Sequence, residues 1–328
     1  MSDKLREAAL EGKILEIRCG SHLYGTNTPE SDEDFIGIFM PPKEYVLGLQ
    51  TVKEVDFSTV DKNEEGKNTA EAIDKKLYEF RKFISLALQN NPNIIEILFV
   101  NEENIIECNE IGRRLLGLRH LFPCKQASKK FLGYAKSQKH KMIIRRDHFN
   151  ELREGLEILN WCDNKTTMAE VFNLGHVYTP EEQANSELIF YKKEKGHHIH
   201  CGDICFEPGV YVKKARRMLE ERLSKITNRS ELVLKHGYDT KFASHLIRLL
   251  TEGIEILNTG RLEFPLPNAK NILDIKDGNF SVQEILKEAE TLEEKYEKAL
   301  EASTLPDKPP MKEIEKFTIQ EMYDWVTK

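Results

Sequence analysis

The spacing of the apolar residues changes near Phe80, and this change limits the folds that the chain can adopt. Before Phe80, short segments rich in β-branched and aromatic residues alternate with polar positions, which is the pattern of half-buried strands. From Phe80 onward the apolar residues recur at helical spacing, as at Phe83, Ile84 and Ala87. The sequence therefore predicts a small α/β unit followed by a larger helical region.

The predicted elements divide the chain into two domains. We expect one over residues 1–115 and a mainly helical one over residues 116–328, with an irregular or hairpin insert at about residues 163–209. Strands are predicted at residues 13–20, 32–40, 51–57 and 73–79, with a polar loop over residues 58–72. Longer helices are predicted at residues 80–90, 110–122, 128–146, 148–161, 215–226, 242–260 and 282–303, whereas residues 94–100 fit either a helix or a strand.

The composition is that of a globular protein. Of its 328 residues, 40% are hydrophobic and 31% are charged, and the formal net charge is -7. This negative charge argues against non-specific nucleic-acid binding over the whole protein surface, although it allows a local basic groove. The apolar runs are too short to cross a bilayer, and the first residues lack the apolar core of a signal peptide. We therefore expect a cytoplasmic protein, with no membrane partner, whose six cysteines are free thiols.

The segment from Gly20 to Asp34 combines two groups that suit phosphate chemistry. A glycine lets the backbone approach a phosphate closely, and Ser21 begins a helical turn whose N–H groups and hydroxyl can hold a triphosphate. Asp32 and Asp34 share one face of the next strand, where two carboxylates suit Mg²⁺ or Mn²⁺. Asp74, at the start of the fourth predicted strand, is the expected third ligand. The alternative is an exposed acidic loop that follows an unrelated glycine and serine.

The motif formed by these residues resembles that of a known superfamily. Gly-Ser followed by Ser-Asp-x-Asp is similar to the motif of the DNA polymerase β-type nucleotidyltransferases, and here it comprises Gly20, Ser21, Ser31, Asp32 and Asp34. Residues 74–99, 131–138 and 236–267 resemble a branch of predicted nucleotidyltransferases linked to RNA repair. The resemblance implies an α+β fold with a small mixed-sheet nucleotidyltransferase core and a helical companion region. It also implies two-metal transfer of an NMP from an NTP.

The third carboxylate of the superfamily has two candidates in this chain. Asp74 matches that position, and Glu79, at the other end of the same predicted strand, is the alternative.

Three basic side chains recur on one face of the helix predicted at residues 242–260 and the residues just before it. Lys241, His245 and Arg248 are spaced i, i+4 and i+7, and Tyr238 precedes them. We expect this stripe to bind the triphosphate or the base of the NTP. The alternative is an ordinary solvated helix face.

Two further clusters have polar side chains that could bind a partner. The first suits a phosphate backbone, with Tyr134 available to stack on a base, and its charges are Lys129, Lys130, Lys136, Lys139, Lys141, Arg145 and Arg146. The second contains zinc-ligand types, namely His197, His198, His200, Cys201 and Cys205. A solvated helix face and a hairpin with unrelated histidines are the respective alternatives.

Together these features predict a metal-dependent nucleotidyltransferase with Mg²⁺ or Mn²⁺ as cofactor and an NTP as substrate. Its catalytic and metal-binding residues are Asp32, Asp34 and Asp74, and its NTP-binding residues are Gly20, Ser21, Tyr238, Lys241, His245 and Arg248. The expected acceptor is the hydroxyl of an RNA or tRNA end, with a protein hydroxyl or a small molecule as alternatives. Two other functions stay open: a non-catalytic nucleotide- or RNA-binding module, and a zinc-stabilised interaction protein.

Overall fold

The computed structural model describes residues 3–29, 31–59, 73–174, 189–192 and 197–328. The chain divides into two compact units, of which the first combines Met1–Ser137 with Ser244–Lys328 and the second is Gln138–Ala243. The first unit is thus assembled from two separate stretches of the sequence. The predicted domain boundary after residue 115 stays a prediction.

The first unit contains a five-stranded mixed sheet, as expected for an α+β fold. Its strands are β1 (Lys13–Cys19), β2 (Glu33–Phe39), β3 (Glu54–Asp56), β4 (Ile73–Glu79) and β5 (Ile105–Cys108), in the order β3-β4-β2-β1-β5. β2 and β4 are parallel, and the other neighbouring pairs are antiparallel. The four predicted strands are confirmed, whereas β5 lies in a stretch predicted to be mainly helical.

The described residues contain thirteen α-helices. They are α1 (Asp3–Glu11), α2 (Gly20–Tyr24), α3 (Lys43–Leu47), α4 (Phe80–Leu88), α5 (Pro92–Leu98), α6 (Glu110–Gly117), α7 (Lys125–Trp161), α8 (Met168–Leu174), α9 (Val212–His236), α10 (Thr240–Thr259), α11 (Ala269–Lys276), α12 (Val282–Ala302) and α13 (Met311–Thr327). Short 3₁₀ turns cover Glu102–Asn104 and Arg119–Leu121. The helices predicted at residues 128–146 and 148–161 form one continuous helix, α7.

Local sequence explains where several of these helices begin and end. Glu79 caps α4 by accepting a hydrogen bond from the Lys82 N–H at 2.9 Å. Asn91 caps α5, in which Pro92 occupies the first turn, where a missing N–H has no cost. Ser281 and Glu284 form a capping box at the start of α12. Gly260, with a φ of +68°, follows the last turn of α10, where a left-handed backbone favours glycine.

The two faces of the sheet have different surroundings near the start of β4. On one face, Phe39 and Leu77 join a buried apolar cluster with Leu5 and Ala9 of α1. Because side chains alternate along a strand, even-numbered residues of β2 and β4 lie on the other face. Asp34 belongs to that second face, so the apolar cluster around α1 does not cover it.

The second unit has its own core and a short hairpin. β6 (Ile199–Cys201) pairs antiparallel with β7 (Ile204–Phe206), which confirms part of the predicted hairpin. Its buried cluster includes residues of α7, α8, β6 and α9, for example Leu152, Met168 and Leu219. The rest of the predicted insert, at residues 175–188 and 193–196, lies outside the described residues, as does the predicted loop from residue 60 to residue 72. Within the described ranges, no helix has both the length and the apolar content that crossing a bilayer requires.

Candidate active site

Asp34 and Asp74 are brought together by the parallel pairing of β2 and β4. The two residues are register partners, and neighbouring strands lie about 4.8 Å apart. Register partners on adjacent strands project from the same face of the sheet. Asp32 lies one residue before β2, whereas Glu33, the first residue of β2, lies on the opposite face from Asp34 and pairs with Arg18 at 3.4 Å.

Gly20 is fitted to the Asp34 side chain. Cys19 is the register partner of Asp34 on β1, and Gly20 follows it as the first residue of α2. The backbone of Gly20 has a φ of +63°, and a Cβ at this position would overlap Oδ2 of Asp34. A glycine is therefore required both for the left-handed backbone and for the space that the carboxylate occupies. The sequence motif predicts that Gly20 allows a phosphate to approach the backbone closely. In the structure, Gly20 makes room for the Asp34 carboxylate.

Asp74 is held by a serine that the sequence reasoning missed. The Ser58 hydroxyl donates to Oδ1 of Asp74 at 2.8 Å, and the Lys75 N–H donates to the Ser58 hydroxyl at 3.1 Å. Ser58 follows β3, which pairs antiparallel with β4. A hydroxyl residue directly after a predicted edge strand was the available signal, but the sequence does not give the β3–β4 register that makes the contact.

The charges around Cys19 show that carboxylates converge on this end of the sheet. Burial raises the pKa of the Cys19 thiol, and the charges of Asp34, Glu96 and Asp74 raise it further. A negative potential of this kind disfavours a thiolate and favours a bound cation.

The carboxylate oxygens are donors of the type that a hard divalent cation prefers. The carboxylates do not, however, form a group of three ligands around one point. Oxygen donors are the ligands that Mg²⁺ prefers, and it commonly keeps water and substrate oxygens as its other ligands. Over the part of the chain that the structure describes, no three His, Cys, Asp or Glu side chains are close enough together to hold one ion. The sheet therefore pairs Asp34 with Asp74, and Asp32 does not complete a three-ligand group with them.

Glu79, the alternative third carboxylate, has other partners. It lies at the far end of β4, where its side chain caps α4 and accepts from Arg81 Nε at 2.7 Å. It is buried, with an exposed fraction of 3%. Five residues from Asp74 and on the opposite face, it is not placed beside Asp34.

Ser21 lies in the first turn of α2, next to Gly20. Its carbonyl accepts from the Thr26 N–H at 2.9 Å, and Gly25, with a φ of +72°, ends the helix. The turn therefore closes directly after Tyr24, and both Gly20 and Ser21 are half-buried. Ser21 thus follows directly after the glycine that lies against the Asp34 carboxylate, and its contact with a triphosphate stays a prediction.

The predicted basic stripe does not form one exposed face. Lys241 and His245 are exposed, but Arg248 is buried, with an exposed fraction of 4%. Its Nη1 donates to Glu96 at 2.5 Å and to Glu252 at 3.0 Å. The i, i+4, i+7 spacing places Arg248 about 20° from Lys241 around the helix, but it does not show that α5 and its Glu96 cover that end of the face.

Tyr238 and Lys241 belong to the second unit. Tyr238 is fully buried, and the Lys241 N–H donates to Asp239 Oδ1 at 3.1 Å. Their predicted contacts with an NTP, like that of His245, stay predictions.

The hairpin that contains the zinc-ligand types does not assemble a metal site among its described residues. His200 and Cys205 are register partners on β6 and β7, and the His200 ring stacks on Tyr191 with centroids 5.3 Å apart. Cys201 alternates to the other face, where it is buried and its thiol donates to the Glu151 carbonyl at 3.2 Å. The two cysteines thus lie on opposite faces, which gives a zinc-stabilised interaction protein no support.

The lysine-rich part of α7 is exposed in the first unit. Lys129, Lys130 and Lys136 are exposed, and the Tyr134 side chain near them is exposed by 38%. The Tyr134 hydroxyl accepts from Asn91 Nδ2 at 3.4 Å. These positions allow contact with a phosphate backbone and equally allow a solvated helix face.

A match to a protein family agrees with the resemblance that the sequence shows. Residues 6–159 match the family described as RlaP, the RNA repair pathway DNA polymerase beta family. The resemblance inferred from the motif is thereby confirmed over these residues. The chain is also 29% identical over 302 residues to an uncharacterized 38.9 kDa protein from the nrdC-mobD intergenic region of Enterobacteria phage T4, covering 84% of this chain and 86% of the phage protein.

A solved structure shows a more distant similarity. A nucleotidyltransferase-like protein from Exiguobacterium sibiricum is 11% identical, and the match covers 90% of this chain and 71% of that one with a TM-score of 0.26. A similarity at this level has no bearing on the chemistry of the site.

Proposed function

Because residues 6–159 match the RNA-repair family of polymerase β-type nucleotidyltransferases, we propose that this protein transfers an NMP from an NTP to a hydroxyl acceptor and releases pyrophosphate. The observation that carries the proposal is the pairing of Asp34 with Asp74 directly beside Gly20 and Ser21. Oxygen donors for a cation and backbone and hydroxyl donors for phosphate oxygens are thus adjacent in one small region.

Each of these residues has a proposed role. Asp34 and Asp74 would hold Mg²⁺ or Mn²⁺, with Asp32 joining them when the substrate is bound. When bound, such an ion lowers the pKa of an attacking hydroxyl and stabilises the charge on the leaving phosphate oxygens. Ser21 and the N–H groups of its turn hold the triphosphate. Asp74, which is exposed and oriented by Ser58, is the carboxylate placed to accept the proton of the acceptor hydroxyl.

The proposed acceptor is an RNA end. The family description names an RNA repair pathway, and the exposed side chains Lys129, Lys130 and Lys136 with Tyr134 offer charge and an aromatic ring on the first unit. Lysines bind phosphates as point charges, so contact with RNA through them would weaken as salt increases. A protein hydroxyl or a small-molecule hydroxyl is the alternative acceptor.

The proposal is tested by labelling. The full chain is incubated with each α-labelled NTP, Mg²⁺ or Mn²⁺, and separate pools of RNA and protein. Label transferred to RNA, together with one pyrophosphate for each NMP transferred, is the expected result. Label on protein would change the acceptor but keep the reaction. Neither label nor pyrophosphate with any NTP and metal would overturn the proposal.

A non-catalytic nucleotide- or RNA-binding module is the second candidate function. It is favoured by one observation, the lack of a three-ligand cluster in the described part of the chain. It predicts that an NTP or RNA binds with a measurable Kd while no pyrophosphate appears. Calorimetry alongside the labelling experiment separates the two functions.

A further inference from the structure

Three helices of the first unit meet at a buried polar cluster that the proposed reaction does not use directly. We name it the Tyr24 cluster, and it comprises Tyr24 of α2, Glu96 of α5, and Arg248 and Glu252 of α10. The Tyr24 hydroxyl donates to Glu96 Oε2 at 2.5 Å. The Arg248 guanidinium lies over the Tyr24 ring, 4.3 Å from its centroid, and bonds both glutamates.

The Tyr24 cluster fixes the positions of its side chains more than it adds to the stability of the fold. Burial raises the pKa of Glu252 well above its usual range, and the charge of Arg248 offsets this only in part. The cluster thus places one guanidinium, Arg248, between two buried carboxyl groups, Glu96 and Glu252. Taking a guanidinium and a carboxyl group out of water cancels most of their attraction, so a buried pair of this kind adds little net stability. What it does provide is a fixed direction for each hydrogen bond.

The part of the chain that the cluster fixes is α2. A helix of five residues has too few internal hydrogen bonds to hold its own position. Tyr24 supplies external contacts: its hydroxyl binds Glu96, its ring lies under Arg248 and packs against Phe264 at 6.2 Å, and its carbonyl accepts from the Leu266 N–H at 3.2 Å. Gly20 and Ser21 are the other end of the same single turn, one turn from Tyr24 and beside Asp34.

We propose that Tyr24 is a positioning residue for the NTP, which acts through Glu96 and Arg248 to fix the turn that presents Ser21 to the triphosphate. This inference rests on the proposed function. It assigns Arg248 an indirect role, in place of the direct NTP contact predicted from the sequence, because its guanidinium is buried against Glu96 and Glu252. Loss of the Tyr24 hydroxyl leaves the ring in place but releases the turn from Glu96.

The test uses Tyr24→Phe in the full chain, with Tyr296→Phe as the matched control. Tyr296 is a buried tyrosine on α12 of the same unit, so its variant also loses a buried hydroxyl. For Tyr24→Phe we expect the NTP KM and the NTP Kd to rise about tenfold, the size of effect that one lost buried hydrogen bond gives. The acceptor KM and kcat should stay within about twofold. Tyr296→Phe should leave the NTP Kd unchanged.

The possible outcomes separate this inference from the proposed function. If the wild type transfers NMP and Tyr24→Phe has the wild-type NTP KM and Kd, the inference is wrong and the proposed function stands. If the wild type binds NTP without transfer, a raised Kd in Tyr24→Phe supports the inference while the proposed reaction fails. A fall in Tm with no change in NTP Kd would show a merely structural role and overturn it. A wild type that neither binds nor transfers any NTP overturns both.

Discussion

Asp34 and Asp74 are register partners on two parallel strands that are separated in sequence by residues 40–72, a stretch that includes α3 and β3. Parallel pairing of this kind places both carboxylates on one face at the same end of the sheet. The short stretch from Asp32 to Asp34 supplies only one of the two positions, and the second depends on how β4 is aligned.

Neutralising either carboxylate of this pair should abolish transfer without unfolding the protein. We expect Asp34→Asn and Asp74→Asn to lower kcat at least about 100-fold, because each removes a charge that the proposed cation needs. Both side chains are at least partly exposed, so the Tm should change little. Glu33→Gln is the matched control, since it removes a carboxylate from the opposite face of β2. Wild-type rates of pyrophosphate release in both aspartate variants would exclude this pair from the reaction.

Gly20→Ala should impair the site more than its backbone strain alone explains. A non-glycine residue in a left-handed conformation costs about 1–2 kcal/mol of stability, whatever surrounds it. Gly237, with a φ of +78° and nothing within 4 Å of a built Cβ, would have only that cost, so Gly237→Ala is the control. Gly20→Ala also displaces Asp34. We expect urea unfolding to show similar losses of stability in the two variants and only Gly20→Ala to lose transfer. Equal activities would contradict the Gly20–Asp34 contact.

Acid should destabilise the sheet through Glu16. Burial alone would raise the pKa of Glu16, but hydrogen bonds from Lys13 and Lys75 and their charges outweigh it and leave the pKa below its ordinary value. The lowered folded pKa means that the stabilisation is present above the unfolded pKa, about 4.3, and is lost as the pH falls through the folded value. Stability measured by urea unfolding should therefore fall as the pH is lowered below about 5.

The variant Glu16→Gln tests the origin of that pH dependence. It should be less stable than the wild type at pH 7 by about 1–3 kcal/mol, because Lys75 loses a charged acceptor at 2.6 Å. The difference between the two proteins should shrink as the pH is lowered. A constant difference from pH 7 to pH 3 would assign the acid sensitivity to other carboxylates.

The last helix should contribute to the stability of the first unit through Glu321. Its carboxylate accepts two hydrogen bonds from Arg114, at 2.6 and 2.7 Å, and only 6% of its side chain is exposed. Because half of the Arg114 side chain is exposed and can be solvated when its partner is lost, we expect Glu321→Ala to lower the free energy of unfolding by about 1–2 kcal/mol. Glu315→Ala makes the same change at an exposed position of α13 and should cost under about 0.5 kcal/mol. Similar values for the two variants would show that the Arg114 pair adds nothing.

Alternation and turn residues predict much of the sheet but not its full extent. β1 follows from a short apolar run that ends at Gly20, β2 from an alternating pattern that ends before Pro41 and Pro42, and β4 from the segment just before the change to helical spacing at Phe80, and the structure confirms all three. β5 is four residues long between a 3₁₀ turn and α6, too short for a pattern to distinguish it from its helical neighbours. Its formation depends on the free edge of β1, which only the assembled sheet reveals.

The candidate site likewise contains some residues that local sequence patterns predict and others that only tertiary packing reveals. Gly20, Ser21, Asp32 and Asp34 are contiguous enough to be recognised from their spacing. Ser58 and the burial of Arg248 are not, because each depends on a partner far away in the sequence: Asp74 for Ser58, and Glu96 for Arg248. A helical face is predicted from spacing alone, but whether water or another helix lies against it is decided by tertiary packing.

The packing of α13 has a consequence for the order in which the protein can mature. Trp325 donates its indole N–H to the Pro41 carbonyl at 2.8 Å, just beyond β2, and Phe317 packs edge-on against Phe80 at 6.1 Å. During synthesis the ribosome completes β1 to β5 long before it reaches these partners. The strands that carry Asp34 and Asp74 therefore stay incompletely covered until residues 317–325 have been made, and a chain that stops before residue 317 would lack these contacts.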